Sequence, residues 1–204
     1  MPYLITSYSE TNYDNYVSVR SGGYQFYGQT FMNVSLNVLD SCTFYIRKLG
    51  SPTGSVYAYL YEHTGTFGTD GKPSGSAIAV SDALDISLLT TTFALTSLFF
   101  SGTNRVTLLA NRPYCLAIGY SGGDASNLLR VGLDQSSPTA SGNVLQYISS
   151  WGYNVSSDIC FYVYGANPLG GTTNIKSINN LLYASISNKN GIAMASVKSI
   201  NGLV

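Results

Sequence analysis

The stretch Val56-Tyr57-Ala58-Tyr59-Leu60-Tyr61 alternates aliphatic residues with tyrosines, and this period of two predicts a β-strand. Successive side chains of a strand point to opposite faces of its sheet. We therefore expect the three aliphatic side chains to face a core, with Tyr57, Tyr59 and Tyr61 in a row on the other face. Because tyrosine is enriched at protein interfaces, we predict that this row contacts another subunit.

Similar patterns recur along the chain and are separated by turn residues. Met32-Asn33-Val34-Ser35-Leu36-Asn37-Val38 predicts a strand with its four apolar residues inward and its three polar residues outward. A strand over 42–48 should point Cys42, Phe44 and Ile46 inward. Further strands are predicted at 77–81, 93–101, 105–108, 113–120, 128–134, 143–149 and 159–164. Short strands at this spacing, without helical periodicity, indicate an all-β fold, an antiparallel two-sheet sandwich that is jelly-roll-like.

The composition limits the classes of partner. Hydrophobic residues make up 45% of the 204 residues, whereas charged residues make up only 10% and the net charge is zero. Soluble domains usually contain about 25% charged residues. Without a basic stripe we expect no nucleic-acid partner. A neutral, tyrosine-rich surface favours contacts with other subunits or with sugars.

The first residues, Met1-Pro2-Tyr3-Leu4, lack the basic and apolar regions of a secretory signal. No stretch approaches the ~20 apolar residues of a membrane span, so we expect no membrane insertion. Synthesis in a host cytoplasm is the expectation. Cys42, Cys115 and Cys160 lack the spacing of a zinc site, and we expect them to be buried free thiols.

The composition changes after Gly165, and this change predicts the domain boundaries. We expect an N-terminal segment at 1–27, a sandwich domain at 28–165, a linker at 166–173 and a repeat region at 174–204.

An 11-residue repeat fills the C-terminal region, beginning at Asn174, Ser185 and Ser196. Its Asn-Asn or Asn-Gly pairs suit two-residue turns, so each repeat predicts a short β-hairpin. One hairpin cannot bury its apolar side alone, so we predict that the repeats form an assembly element. The apolar positions expected to mediate assembly are Ile175, Ile178, Ile186, Ile192, Val197 and Ile200.

The sequence offers little support for catalysis. His63 is the single histidine, and no serine lies in a GxSxG elbow. Asp82 and Asp85 are close in sequence, but their setting is typical of a polar turn between strands. We therefore predict that the protein is not an enzyme and that it requires no cofactor.

Two weaker ligand sites can be drawn from the loops. Asp124, Asn127 and Asp134 are candidate calcium ligands, although capping of the local turn is the competing role for such residues. Trp151 and Tyr153, in a predicted loop, are the candidate glycan-stacking residues, together with Asp124 and Asn127. The alternative for Trp151 is to close one end of the core.

Several segments resemble a β-sandwich domain of bacteriophage virion proteins, described as choice-of-anchor or carbohydrate-binding-like. They are Phe44–Val56, Thr64–Gly68, Lys72–Gly75, Ser121–Asn127 and Asp158–Gly165. The resemblance covers about residues 28–165. The Lys-Ser-Ile-Asn-Gly repeats are similar to repeats that end many tailed-phage structural proteins.

This resemblance implies a virion component: a tail, fibre, head-decoration or appendage subunit located in the virion. Its partners would be copies of itself and other virion proteins. A carbohydrate-binding adhesin module for host-surface glycans is the alternative. The family has no settled catalytic residues, so none is transferred to this chain.

Overall fold

The computed structural model describes residues 2–166, 177–178 and 181–182. The chain divides into two compact units, residues 1–168 and 169–204.

The first unit consists of strands joined by turns and three short 3₁₀ segments. Its strands are β1 (Tyr3–Tyr8), β2 (Asn15–Val19), β3 (Phe26–Asn33), β4 (Asn37–Leu49), β5 (Ser55–Thr64), β6 (Lys72–Val80), β7 (Leu84–Asp85), β8 (Ala94–Phe99), β9 (Thr107–Leu108), β10 (Arg112–Gly119), β11 (Leu128–Asp134), β12 (Val144–Tyr147), β13 (Trp151–Asn154), β14 (Asp158–Ile159) and β15 (Phe161–Ala166).

These strands form two antiparallel sheets. The eight-stranded sheet has the order β1-β15-β4-β11-β14, with β2 paired to β11 and both β8 and β9 paired to β4. The seven-stranded sheet has the order β13-β12-β3-β10-β5-β6, with β7 paired to β5. The chain crosses between the sheets at eight connections: β2–β3, β3–β4, β4–β5, β7–β8, β9–β10, β10–β11, β11–β12 and β13–β14. The predicted all-β antiparallel sandwich is confirmed.

The core lies between the two sheets. Val56, Ala58 and Leu60 are fully buried there, so the inward direction predicted from the alternation in β5 is confirmed. The residues predicted to point inward from β4 are also fully buried. Burial of each large aliphatic side chain contributes about 1.5–3 kcal/mol, which makes this face of each sheet the main source of stability.

The N-terminal segment contributes to the sandwich itself. Strand β1 pairs with β15, and β2 pairs with β11 through the register Val19 to Leu129. Regular strands therefore begin at Tyr3, well before residue 28, where the domain was expected to begin. The segment is polar because much of it lies at the solvent face. It therefore lacks the apolar periodicity that predicts strands, and its strands were not predicted.

The prediction for residues 32–38 is wrong. Val34 and Leu36 are 63% and 44% exposed, whereas Asn33 and Asn37 are buried. The segment is the turn between β3 and β4 rather than one strand. The Asn33 Nδ2 group donates to the carbonyl oxygens of Leu108 and Leu109 at 3.1 and 2.7 Å, and Asn37 Nδ2 donates to Asn33 Oδ1 at 2.7 Å. The two asparagine side chains are buried because they satisfy hydrogen-bond acceptors of the turn, and this requirement overrides the alternation of apolar and polar residues.

The connection between β5 and β6 is shorter than the predicted strands imply, since those strands end at Tyr61 and resume at residue 77. Strand β5 continues to Thr64 and β6 begins at Lys72. Trp151 was also expected in a loop, but it begins strand β13 and pairs with Tyr147. The ends of β5, β6 and β13 are set by the strands that pair with them. A single sequence does not show which strands pair.

Two short strands of the C-terminal unit are described. Strand β16 (Ser177–Ile178) pairs antiparallel with β17 (Leu181–Leu182), with Ile178 opposite Leu181. The first repeat predicts two short strands at these positions. The other assembly residues predicted in this region, Ile175, Ile186, Ile192, Val197 and Ile200, lie outside the described residues.

Candidate functional site

The face of the seven-stranded sheet that points away from the core carries a dense group of aromatic rings. We call it the aromatic face, and its members are Phe26, Tyr57, Tyr59, Tyr61, Tyr147, Trp151 and Tyr153. The fold therefore brings onto one surface two sets of residues that the sequence suggested separately. They are the tyrosine row of β5 and the Trp151–Tyr153 pair.

The strand register explains this grouping. Trp151 lies opposite Tyr147 on β12, Tyr147 lies opposite Phe26 on β3, and Phe26 lies opposite Gly119 on β10. Gly119 in turn lies opposite Tyr57 on β5. Residues opposite each other in a ladder point to the same face, so one row across the sheet carries four aromatic residues around one glycine.

Small residues in the middle strands make room for the rings. A Cβ atom on Gly119 would lie 2.7 Å from the Phe26 ring and 2.8 Å from the Tyr59 ring. A Cβ atom on Gly28 would lie 2.2 Å from the carbonyl oxygen of Leu116. Only glycine fits at either position, because the rings or the neighbouring strand occupy the space that a side chain needs.

Trp151 and Tyr61 meet above these small residues. Their ring centroids are 5.4 Å apart with an interplanar angle of 72°, an edge-to-face contact. Tyr61 is only 8% exposed, and the residues beneath it, Cys115, Ala117 and Leu145, are fully buried. The aromatic face is thus partly a second apolar cluster on the far side of the sheet, and burial raises the pKa of Tyr61 to about 12.

The two edges of this sheet approach each other across the aromatic face. Strand β13 at one edge contacts β6 at the other, and Lys72 Nζ lies 5.9 Å from the centroid of the Tyr153 ring. The sheet therefore curls around its aromatic residues. Tyr153 is 45% exposed and is the most accessible ring, whereas Trp151 is half-buried. Of the predicted glycan-stacking pair, Tyr153 is thus the residue with a free surface.

Sequence reasoning missed Phe26 and Tyr147, which pack against Trp151 with centroids 5.7 and 5.2 Å away. Tyr147 was inside a predicted strand, but nothing in the sequence fixed which face it occupies. Phe26 was assigned to the N-terminal segment. Extending the strand predicted from Met32 back to Phe26 would have placed this ring in a strand of the sandwich.

The outer face of the eight-stranded sheet carries exposed apolar residues. Leu4 on β1 lies opposite Tyr164 on β15, Tyr164 lies opposite Ser41 on β4, and Ser41 lies opposite Phe99 on β8. Phe99 is 58% exposed and Leu4 is 48% exposed. With Leu95, 46% exposed on β8, these residues form what we call the apolar row. These three exposed apolar side chains share one face of the sheet, where they are available to a partner.

Asp124 and Asn127 form a self-contained turn. Asp124 Oδ1 accepts from the backbone N–H groups of Ser126 and Asn127 at 2.7 and 2.9 Å, and these bonds lower the pKa of the Asp124 carboxyl. Asn127 Oδ1 accepts from the Ser51 backbone N–H at 2.8 Å. This is the capping role that competed with ligand binding, and the aromatic rings that Trp151 contacts within residues 2–166 are those of Phe26, Tyr61 and Tyr147.

Asp134 is buried and fully engaged. Its carboxylate accepts from the Tyr8 hydroxyl at 2.6 Å and from the backbone N–H groups of Ser136 and Ser137. It lies opposite Asp158, which accepts from Gln29 Nε2 at 2.6 Å. In the described part of the chain, no group of three or more His, Cys, Asp or Glu side chains is placed to hold a metal ion.

His63 and the three cysteines have surroundings that disfavour charge. Burial lowers the pKa of His63, with the Asp70 charge acting in the opposite direction, and His63 Nε2 has no hydrogen-bond partner among the described residues. Burial raises the pKa of the Cys115 and Cys160 thiols to about 12, and that of Cys42 further. Neutral thiols at neutral pH are poor nucleophiles.

No protein-family model matches the chain, and no curated protein matches it. In the parts of the chain that the structure describes, no helix is long and apolar enough to cross a membrane.

Proposed function

We propose that the chain is a non-enzymatic structural subunit of a virion, in a tail, fibre, head decoration or appendage, that docks with copies of itself and with other virion proteins. The C-terminal repeats and the apolar row are the docking elements. The resemblance of residues 28–165 and of the repeats to phage structural proteins motivates the choice of a virion.

The apolar row is the observation that carries this proposal. Phe99, Leu95 and Leu4 lie on one sheet face, each close to half exposed or more. Only 10% of the residues are charged and the net charge is zero, so charge repulsion between copies is weak. Covering these three apolar side chains with a partner gains free energy.

The repeat region supports the proposal independently. Strands β16 and β17 pair antiparallel within the segment for which the first repeat predicts a hairpin. A two-stranded hairpin is marginal alone and becomes stable when it adds to a further sheet edge. Strand addition between subunits also satisfies backbone groups that an open edge would leave to water.

The test of the repeats is a chain that lacks residues 167–204, which leaves β15 complete. We expect it to keep the thermal unfolding midpoint of the sandwich and to be monomeric by light scattering, while the full chain assembles. A truncated chain that forms the same assembly as the full chain would contradict the role of the repeats.

The test of the apolar row is the double variant Leu95→Thr/Phe99→Thr, because threonine keeps the strand propensity and removes the apolar surface. We expect assembly to weaken about tenfold or more, since buried aromatic and aliphatic anchors dominate interfaces. Val155→Thr is the matched control, because Val155 is 57% exposed away from this sheet face. If the wild-type chain, the double variant and the control assemble equally, the apolar row is not a docking element.

A carbohydrate-binding adhesin is the second candidate, and the exposed ring of Tyr153 beside half-buried Trp151 favours it. Aromatic rings stack on sugars while polar neighbours bind hydroxyl groups. The decisive variant is Tyr153→Ala, because Trp151 also holds the aromatic face together. Retention on a glycan array that disappears in this variant would support the candidate, whereas no retention of the wild-type chain would reject it.

A further inference from the structure

Two arginines lie directly opposite each other on the outer face of the eight-stranded sheet. Arg47 on β4 is the ladder partner of Arg130 on β11, so both side chains point to the same side. Ser18 on β2 lies on the other side of Arg130 in the same row. Like charges directly opposite in a ladder repel each other, so this arrangement lowers the stability of the sheet unless something offsets the charge.

Aromatic rings hold both guanidinium groups in place. The Arg130 Cζ atom lies 4.2 Å from the centroid of the Tyr16 ring, and the Arg47 Cζ atom lies 5.8 Å from the same centroid. Arg47 Cζ is also 5.1 Å from the Phe93 centroid. Phe93 stacks on Tyr45 at 5.2 Å. Two cations therefore converge on one ring within a group of aromatic side chains.

No carboxylate neutralises this pair among the described residues. The salt bridges found there join Arg105 to Asp40 and Arg112 to Glu62. The Nε atoms of Arg47 and Arg130 are buried without a hydrogen-bond partner. Arg47 Nη1 donates to a neutral acceptor, the Thr91 carbonyl oxygen, at 3.0 Å. Both guanidinium groups are thus partly desolvated cations with no anionic partner from this part of the chain.

We propose that Arg47 and Arg130 form the anion-binding centre of a site for an acidic saccharide, and that they bind its carboxylate or sulfate group. Arginine binds such planar or tetrahedral oxyanions through two parallel N–H donors. An oxyanion between the two guanidinium groups converts their repulsion into attraction. Tyr16, which is 40% exposed, offers an aromatic rim for the sugar ring, and Ser18 offers a hydroxyl group.

The charge distribution favours a saccharide over a nucleic acid. Nucleic-acid binding depends on many phosphate contacts along a basic surface. This chain has as many acidic as basic residues, ten of each, and the described residues concentrate only two arginines here. A single pair of cations framed by rings matches one acidic group on a sugar. The site is separate from the aromatic face, which lies on the other sheet.

Isothermal titration of the full chain tests the site with three probes. Sialyllactose carries a carboxylate, lactose 3′-sulfate carries a sulfate, and lactose is the neutral control. We expect one or both acidic probes to bind and lactose not to bind. The probe that binds identifies the anion. The affinity should fall with added salt, because the interaction is between charges.

The variants Arg47→Gln and Arg130→Gln should each weaken binding about tenfold or more, since each removes charge-assisted hydrogen bonds. Arg20→Gln is the matched control: Arg20 lies in the β2–β3 turn, donates to the Ser21 carbonyl oxygen and should leave binding unchanged. Unchanged thermal midpoints show that the variants fold.

Three results would overturn the site: no binding of either acidic probe, binding that survives both arginine variants, or equally tight binding of a short single-stranded DNA. Titration measures saccharide binding and light scattering measures assembly, so failure of this site would leave the proposed subunit role untouched.

Discussion

The rings of Tyr61 and Trp151 touch with centroids 5.4 Å apart, although three strands separate β5 from β13 in the sheet. Neighbouring strands lie about 4.8 Å apart, so a flat sheet would keep these backbones well separated. The contact requires that the sheet curls and that both side chains lean over Gly28 and Ala117. Trp151 is therefore a structural residue first.

Trp151→Ala should lower the free energy of unfolding by about 2 kcal/mol, because it removes a half-buried ring that packs against Phe26, Tyr61 and Tyr147. Tyr153→Ala should cost less than about 1 kcal/mol, because its ring is 45% exposed. Urea unfolding followed by circular dichroism measures both. Equal losses in the two variants would mean that the aromatic face is not a packed cluster.

Gly28→Ala should destabilise the sandwich by about 3 kcal/mol or more, because the added Cβ would lie 2.2 Å from a backbone oxygen of β10. Gly152→Ala is the control on the same sheet. Its added Cβ would meet flexible atoms of Gln146 no closer than 3.4 Å, so its unfolding midpoint should change little. If Gly28→Ala unfolds at the wild-type temperature, the close approach of β3 to β10 is wrong.

The turn between β3 and β4 allows a direct test of its unexpected burial pattern, in which the asparagines are buried and Val34 and Leu36 are exposed. Asn33→Ala should cost about 2 kcal/mol, because the Leu108 and Leu109 carbonyl oxygens and the Asn37 amide lose a buried partner. Val34→Ser should change stability by less than about 0.5 kcal/mol, since Val34 is 63% exposed. If chemical denaturation shows that Val34→Ser lowers the free energy of unfolding more than Asn33→Ala does, the single strand predicted for residues 32–38 would be correct after all.

His63 is the only histidine, so its pKa can be read directly from an NMR pH titration of the full chain. We expect a pKa below 6.5, because burial disfavours the cation more than the Asp70 charge favours it. The unfolded chain then binds the proton more tightly, so His63 should lower stability as the pH falls from about 6.5 through its folded pKa. A titration midpoint above 6.5 would mean that Asp70, not burial, controls this side chain.

Strong local alternation could predict the sandwich, and it did so in β5 and in β4, where the inward residues are those expected. The alternation of residues 32–38 misled because a buried asparagine with several carbonyl partners looks like a surface asparagine in one sequence. In β8, apolar residues occupy both parities, so the sequence could not show that Leu98 is buried while Phe99 is exposed.

The residue types of the candidate site could be predicted from the sequence, but the spatial grouping of those residues could not. Tyr61 and Trp151 were both singled out, yet their contact depends on the order β13-β12-β3-β10-β5, which no local pattern contains. The Arg47–Arg130 pair depends in the same way on the register between β4 and β11. Long-range pairing is decided by the whole sandwich, whereas sequence periodicity reports only neighbours along the chain.

The most direct test of the central claim is the mass of the purified full-length chain in solution, measured by light scattering across a range of concentrations and accompanied by negative-stain microscopy. A structural subunit that docks with its own copies should give a defined oligomer or filament well above the 21.8 kDa of one chain. A monomer at every concentration, without particles in the microscope, would contradict self-assembly.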